Sequence, residues 1–131
     1  DVFSPNEDEA MALTGMQHPK KAAALLAELV PIVAIKRGAD GALVSDRGRW
    51  IKVAAPTVAV KDTTGAGDTF NGGLLYGLCT GRCTEEAAEL AVLAGSLSVT
   101  DYGTLAAPTV AALKKFAVEQ GRGKMFLETA S

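Results

Sequence analysis

Apolar residues along this chain change their period several times, and each change marks a predicted element. Ser4-Pro5-Asn6-Glu7 reads as a helix start, with Ser4 as N-cap, Pro5 at the first helical position and Glu7 at the capping-box position. That helix carries Met11 and Leu13 and stops at Gly15. An alanine- and leucine-rich stretch, Lys20 to Leu29, predicts a second helix that ends before Pro31. Ile32 to Ile35 then reads as a short buried strand, and Arg37 to Gly41 as a turn. Ala42–Ser45 and Trp50–Val53, joined by Asp46-Arg47-Gly48, predict a hairpin, and Val58 to Val60 one more short strand. Beyond it the pattern is helical: Asp68 to Cys79, Thr84 to about Thr100 with Thr84 as cap, and Thr109 to Gln120. The last of these shows an apolar stripe of Val110, Leu113, Phe116 and Ala117, and Gly121-Arg122-Gly123 ends it.

Strands alternating with helices predict an α/β fold with helices flanking a sheet, and the hairpin makes that sheet mixed. Asp1-Val2-Phe3 reads as the last residues of a strand, which suggests the rear part of a longer protein. Residues 1–131 are expected to form part of a single domain, with 122–131 as a loose tail. Composition narrows the partners. Thirteen Lys and Arg against 15 Asp and Glu leave a net charge of −2, which offers no basic stripe for nucleic acid and no polybasic face for a membrane. Two cysteines and no visible signal sequence point to a reducing, cytoplasmic setting.

The densest chemical signal lies at Asp62-Thr63-Thr64-Gly65-Ala66-Gly67-Asp68-Thr69-Phe70-Asn71-Gly72-Gly73. Glycines allow a tight turn and a close backbone approach to a ligand. The helix start behind them supplies unpaired N–H groups and a positive dipole end, a combination that holds anions. Asp68 puts an acid beside that site, where a carboxylate suits proton acceptance better than anion binding. The alternative is a plain capping turn. A P-loop is excluded because no Gly-Lys-Ser/Thr follows, and a dinucleotide fingerprint fits poorly because Phe70 replaces the third glycine. Gly72, Gly73 and Gly77 each cost a helix about 1 kcal/mol relative to Ala, so a neighbour or a ligand is expected to pack closely there.

The stretch from Asp62 to Leu75 resembles the C-terminal signature of the PfkB (ribokinase-like) carbohydrate kinases. Two further segments are similar to that family in the same order: Asn6-Glu7-Asp8-Glu9 to its Asn-x-x-Glu motif, and Lys36 to Gly41 to its nucleotide-binding strand-turn. The resemblance implies a ribokinase-like, Rossmann-like mixed sheet flanked by helices, of which this chain is the C-terminal portion without the β-sheet lid. It implies Asp68 as catalytic base and the N–H groups of Gly65, Ala66, Gly67 and Asp68 as the anion hole for the phosphoryl group. Asn6 and Glu9, which alone read as a solvated first turn, become organisers of the Mg²⁺–phosphate cluster through water. ATP-side contacts are implied for Asn6, Lys36, Gly38, Gly41, Gly67 and Val92. Lys36 departs from the hydroxyl residue many members carry, Gly38 and Gly41 also fit plain turn chemistry, and Val92 also fits a core position.

A monovalent-cation (K⁺) site is implied at Asp62, Thr64, Ser98, Asp101 and Gly103. Ala107 replaces the hydroxyl residue that some members bring to it, and Asp62 alone also reads as a loop acid bonding its own turn. Cys79 and Cys83 lack the further ligands that zinc needs, His18 reads as a surface loop residue, and Trp50 as core or edge packing. The expected function is ATP-dependent phosphorylation of a sugar hydroxyl by the intact, homodimeric kinase, the 131-residue portion alone being inactive. Alternatives are a vitamin-type kinase of the same fold, acting on hydroxymethylpyrimidine or pyridoxal, and a non-catalytic nucleotide-binding domain.

Overall fold

The computed structural model describes residues 1–61, 63, 65–100 and 109–123. Its contacts fall into two units, Asp1–Ala55 and Pro56–Ser131.

In the first unit, strand β1 (Val2–Phe3) leads through helices α1 (Glu7–Thr14) and α2 (Pro19–Leu29) to β2 (Ile32–Lys36), which pairs with β1 in parallel. Strands β3 (Ala42–Asp46) and β4 (Arg49–Val53) add antiparallel, giving a mixed sheet in the order β1-β2-β3-β4. The predicted hairpin is present with Ser45 opposite Trp50. Trp50 lies on the edge strand and is 44% exposed, so its role is edge packing. Arg47 and Gly48 both adopt positive φ, the geometry that lets a two-residue turn follow the strand twist. Alternation along β2 turns Val33 and Ile35 to one face, where they pack with Ala10, Ala22, Ala23 and Leu26 of the two helices. Small alanines on both helices let them seat closely on the sheet.

Helix α1 does not start where the local pattern puts it. Its N-cap is Asn6, not Ser4, and the capping-box partner is Glu9, not Glu7. The cause is tertiary: the Lys36 N–H donates to the Pro5 carbonyl at 2.9 Å, and Asn6 bridges to Lys36 alongside the sheet. Ser4 and Pro5 are thereby held outside the helix, and the Ser4 hydroxyl is buried without a partner among the described residues. Gly15 closes the helix in the left-handed region, as expected.

In the second unit, Val58–Val60 forms no strand. Val58 instead packs against a helical core of Leu90, Leu93, Ala94, Leu113, Phe116 and Ala117, and Lys61 donates its N–H to the Val99 carbonyl. Helices α3 (Ala66–Cys79), α4 (Thr84–Ser98) and α5 (Val110–Glu119) make up the rest. Cys83, not Thr84, is the N-cap of α4, and Thr84 is carried inward to 7% exposure. The turn before it explains this: Gly81 adopts positive φ while the Arg82 N–H closes on the Gly77 carbonyl at 3.1 Å. Thr109, read as the first residue of α5, is its N-cap and accepts from the Ala112 N–H, whereas Val110 stands 50% exposed and drops out of the stripe. The proposed tail at 122–131 lies, from residue 124 on, outside the described residues.

The helical glycines divide sharply. A Cβ on Gly77 would lie 2.6 Å from the Ala87 Cα, and one on Gly73 would lie 2.9 Å from the Leu90 carbonyl oxygen. Both clashes are with backbone of α4, which cannot swing aside. A Cβ on Gly72 would meet nothing within 4 Å. Gly77→Ala should therefore destabilise the protein by about 1–3 kcal/mol through overpacking. Gly72→Ala should stabilise it by about 0.5–1 kcal/mol through helix propensity. Urea denaturation of the two variants checks the pair, and equal shifts of the same sign would contradict the packing account.

Candidate functional site

The candidate residues that are described form one cluster in each unit. In the first, Asn6 and Glu9 satisfy each other's backbone. Asn6 Oδ1 accepts from the Glu9 N–H at 2.7 Å, and Glu9 Oε1 accepts from the Asn6 N–H at 2.9 Å. This reciprocal box fixes both side chains at the exposed start of α1. It also leaves the Asn6 Nδ2 amide and the second Glu9 carboxylate oxygen outside the box bonds. Such a pair, one donor and one hard anionic oxygen on a rigid helix start, suits a phosphate oxygen and a hydrated Mg²⁺.

The Asn6–Lys36 bridge brings the end of β2 beside this helix start. Immediately after it, Gly38 has φ +56 and Gly41 φ +87, in a turn closed by the Gly41 N–H to the Gly38 carbonyl at 3.0 Å. A Cβ on Gly41 would sit 1.9 Å from the Val53 carbonyl oxygen. Both glycines thus have a backbone reason to be present, whatever else they contact. Asn6, Glu9, Lys36, Gly38 and Gly41, separated by up to 35 positions, share one end of the sheet. Sequence reasoning assigned Glu7 to capping; it instead pairs with Arg37 at 3.5 Å, a contact without a local sequence signal.

In the second unit the loop ends in Gly65, left-handed at φ 81, which is the N-cap of α3 and offers no side-chain cap. The helix begins at Ala66, two positions before the start read from sequence, so Asp68 sits in its first turn rather than at its edge. The Ala66 N–H is already bonded to the Thr63 carbonyl at 3.2 Å. Gly67 and Asp68 occupy the second and third helical positions, whose N–H groups find no acceptor within their own helix. Asp68 is exposed, and its carboxylate has no hydrogen-bond or ion-pair partner among the described residues. Thr69 instead folds back, its hydroxyl donating to the Gly65 carbonyl at 2.9 Å, which tightens the turn. The loop therefore brings the N–H groups of a helix start, an exposed acid and the partial positive charge of a 14-residue helix to one point.

Val92 is buried in α4 at 3% exposure. Ser98 is buried, its hydroxyl donating to the Gly95 carbonyl at 2.8 Å. Asp62, Thr64, Asp101 and Gly103, and with them Ala107, lie outside the described residues. Cys79 and Cys83 are free and exposed, and among the described residues no group of three His, Cys, Asp or Glu is placed to hold a metal. No described helix is long and apolar enough to cross a membrane.

Comparison with known proteins gives this geometry a context. The model of the pfkB family of carbohydrate kinases matches residues 1–110. Ribokinase of Haemophilus influenzae is 37% identical over 109 residues, which cover 79% of this chain and 36% of that protein. A sugar kinase of Archaeoglobus fulgidus is 33% identical over 102 residues, covering 78% and 41%. Among solved structures, ribokinase of Thermotoga maritima superimposes with a TM-score of 0.85 at 32% identity, over 90% of this chain and 42% of that one. Fructokinase of Vibrio cholerae, solved with fructose, ADP and a calcium ion, gives 0.81 at 36% identity, over 88% and 40%. The chain thus spans well under half the length of the relatives it matches.

A substitution separates the two tasks assigned to Glu9. Glu9→Gln keeps an oxygen able to accept from the Asn6 N–H, so stability should stay within about 0.5 kcal/mol. Asn6→Ala removes the cap and should cost about 0.5–2 kcal/mol. Thermal unfolding of both variants tests this, and a large loss in Glu9→Gln would show that the carboxylate charge, not the box, holds the helix start.

Proposed function

Because the chain belongs to the pfkB family of carbohydrate kinases, we propose that the intact protein transfers the γ-phosphoryl group of ATP to a hydroxyl of a sugar or sugar-like molecule. The observation that carries the reading is the first turn of α3. There an exposed Asp68 without a partner among the described residues stands in the first turn, beside N–H groups that have no acceptor within their own helix. A purely structural acid in that position would be expected to bond the turn it caps; among the described residues this one does not.

In this reaction Asp68 accepts the proton of the acceptor hydroxyl as the oxygen attacks phosphorus. A base within hydrogen-bond reach contributes about 10²–10⁴ in rate. The N–H groups of Gly67 and Asp68, with those of Gly65 and Ala66 once Ala66 leaves Thr63, face the charge that gathers on the equatorial oxygens of the phosphoryl group. Asn6 and Lys36 hold the nucleotide phosphates, and Gly38 and Gly41 let the turn backbone come close to the rest of ATP. Val92 lines the adenine side, and Glu9 with Asn6 holds Mg²⁺ through water. When bound, Mg²⁺ supplies charge neutralisation on the phosphates. The donor set fits that ion, because Mg²⁺ keeps most of its waters and leans on substrate phosphates rather than on a protein cage. Among the relatives, fructokinase of Vibrio cholerae with ADP and fructose and aminoimidazole riboside kinase of Salmonella enterica with an ATP analogue bind ligands of these classes.

The acceptor sugar is not written in this chain. Relatives of similar identity are ribokinase, 1-phosphofructokinase and adenosine kinase, which share this portion and differ in substrate. The cation site at Asp62, Thr64, Ser98, Asp101 and Gly103 belongs to the same proposal, as does a cytoplasmic setting, which suits the free and exposed Cys79 and Cys83.

Asp68→Asn in the intact enzyme should lower kcat by about 10²–10⁴ while ATP affinity by calorimetry stays within about twofold. Retention of most activity would remove Asp68 as the base. Turnover should also rise in K⁺ relative to Li⁺ at equal ionic strength; equal rates in the two salts would remove the cation site and leave the Asp68 assignment untouched.

A further inference from the structure

The first unit contains a cavity of about 420 Å³ that the kinase reading does not use. Its floor is apolar and comes from one rung of the sheet: Ile35 of β2 stands directly opposite Leu43 of β3, on the same face. Pro19 adds an apolar wall. The rim is charged and unbalanced. His18, Lys20 and Lys21 line it from the start of α2, and Arg37 from the end of β2, while Glu7 is the one acid among the described lining residues. Glu7 is already engaged with Arg37 at 3.5 Å, so the lysines face the opening with no acid of the lining left to answer them.

We infer that this cavity binds a small organic phosphate, a molecule with an apolar body and a doubly charged head. The volume falls within the range of small-ligand sites, about 300–1,000 Å³. The body would lie on Ile35 and Leu43, and the head would meet Lys20 and Lys21 in charge-assisted hydrogen bonds. The start of α2 adds to the attraction, since no side chain caps it and its first turn holds no acid. Two lysines in that turn work against the helix dipole and lower the stability of α2 taken alone. A bound anion would reverse that cost. The stems of both lysines can lie along the apolar wall while their ammonium groups reach the head.

The probe is 1-naphthyl phosphate, titrated by calorimetry into the intact protein with saturating Mg–ATP present. Single-site binding is expected, with inorganic phosphate and 1-naphthol each at least about tenfold weaker, because each offers only half of the recognition. The double variant Lys20→Glu/Lys21→Glu changes exposed side chains only, and should weaken binding at least about tenfold with the unfolding temperature not lowered, since acids in that turn suit the helix dipole. The probe should also protect Lys20 and Lys21 from reductive methylation, read by peptide mass spectrometry. Binding that vanishes with Mg–ATP would place the probe in the nucleotide site and overturn the proposal. So would an unchanged affinity in the double variant, or inorganic phosphate binding as tightly as the naphthyl ester.

Discussion

Close approach of α3 and α4 is the constraint on which the Gly67–Asp68 end of the second unit depends. Gly73 and Gly77 lie one turn apart on α3 and remove the side chains that would hold the helices apart. Against them stand Ala87, Ala91 and Ala94, equally small. Backbones that touch in this way cannot slide or rotate without overlap, since interiors are packed to crystal-like density. The N-terminal turn of the same helix carries Gly67 and Asp68. Its direction is therefore set by packing one to three turns away, and the loop needs only to deliver the chain to Gly65. Gly95 of α4 supports that end too, where a Cβ would come 3.5 Å from the Ala66 carbonyl oxygen.

The first unit solves a related problem with hydrogen bonds rather than contact. One residue, Lys36, ties the end of β2 to the entry of α1 through its N–H and the Pro5 carbonyl. The bond makes Asn6 rather than Ser4 the cap and so brings Asn6 and Glu9 together as a box. The box uses only part of each side chain. One oxygen of each side chain holds the helix start, while the Asn6 amide and the other Glu9 oxygen stay outside the box. The same economy holds at Gly38 and Gly41, whose positive φ values serve the turn and whose lack of side chain leaves the backbone approachable.

Much of this was legible in the residues themselves. The order of most strands and helices, the hairpin and the stop at Gly15 all follow from local chemistry, because turns and helix stops are decided over four or five residues. Val58–Val60 misled because three apolar residues carry no period, and a strand needs a partner edge that only the folded chain can offer. Ser4-Pro5-Asn6-Glu7 misled because two overlapping capping boxes, Ser4 with Glu7 and Asn6 with Glu9, are locally equivalent. Val110 looked like part of a stripe since helical spacing is blind to where a neighbouring helix ends.

By itself the sequence determined the family and most of the elements, and it marked where candidate chemistry stands: an acid behind Gly-Ala-Gly, an Asn-x-x-Glu helix start, and a glycine turn after a strand. These signals are short-range, so they survive in a linear reading. The tertiary structure alone decided which cap holds α1, which helical glycines are needed for packing and which stands open, and that Glu7 pairs with Arg37 from across the unit. Each of those depends on residues distant in sequence meeting at van der Waals or hydrogen-bond distance, and no local pattern encodes such a meeting. Gly72 shows the difference most simply. In sequence it is one of three equivalent helical glycines; in the folded chain it faces open space four residues after Asp68.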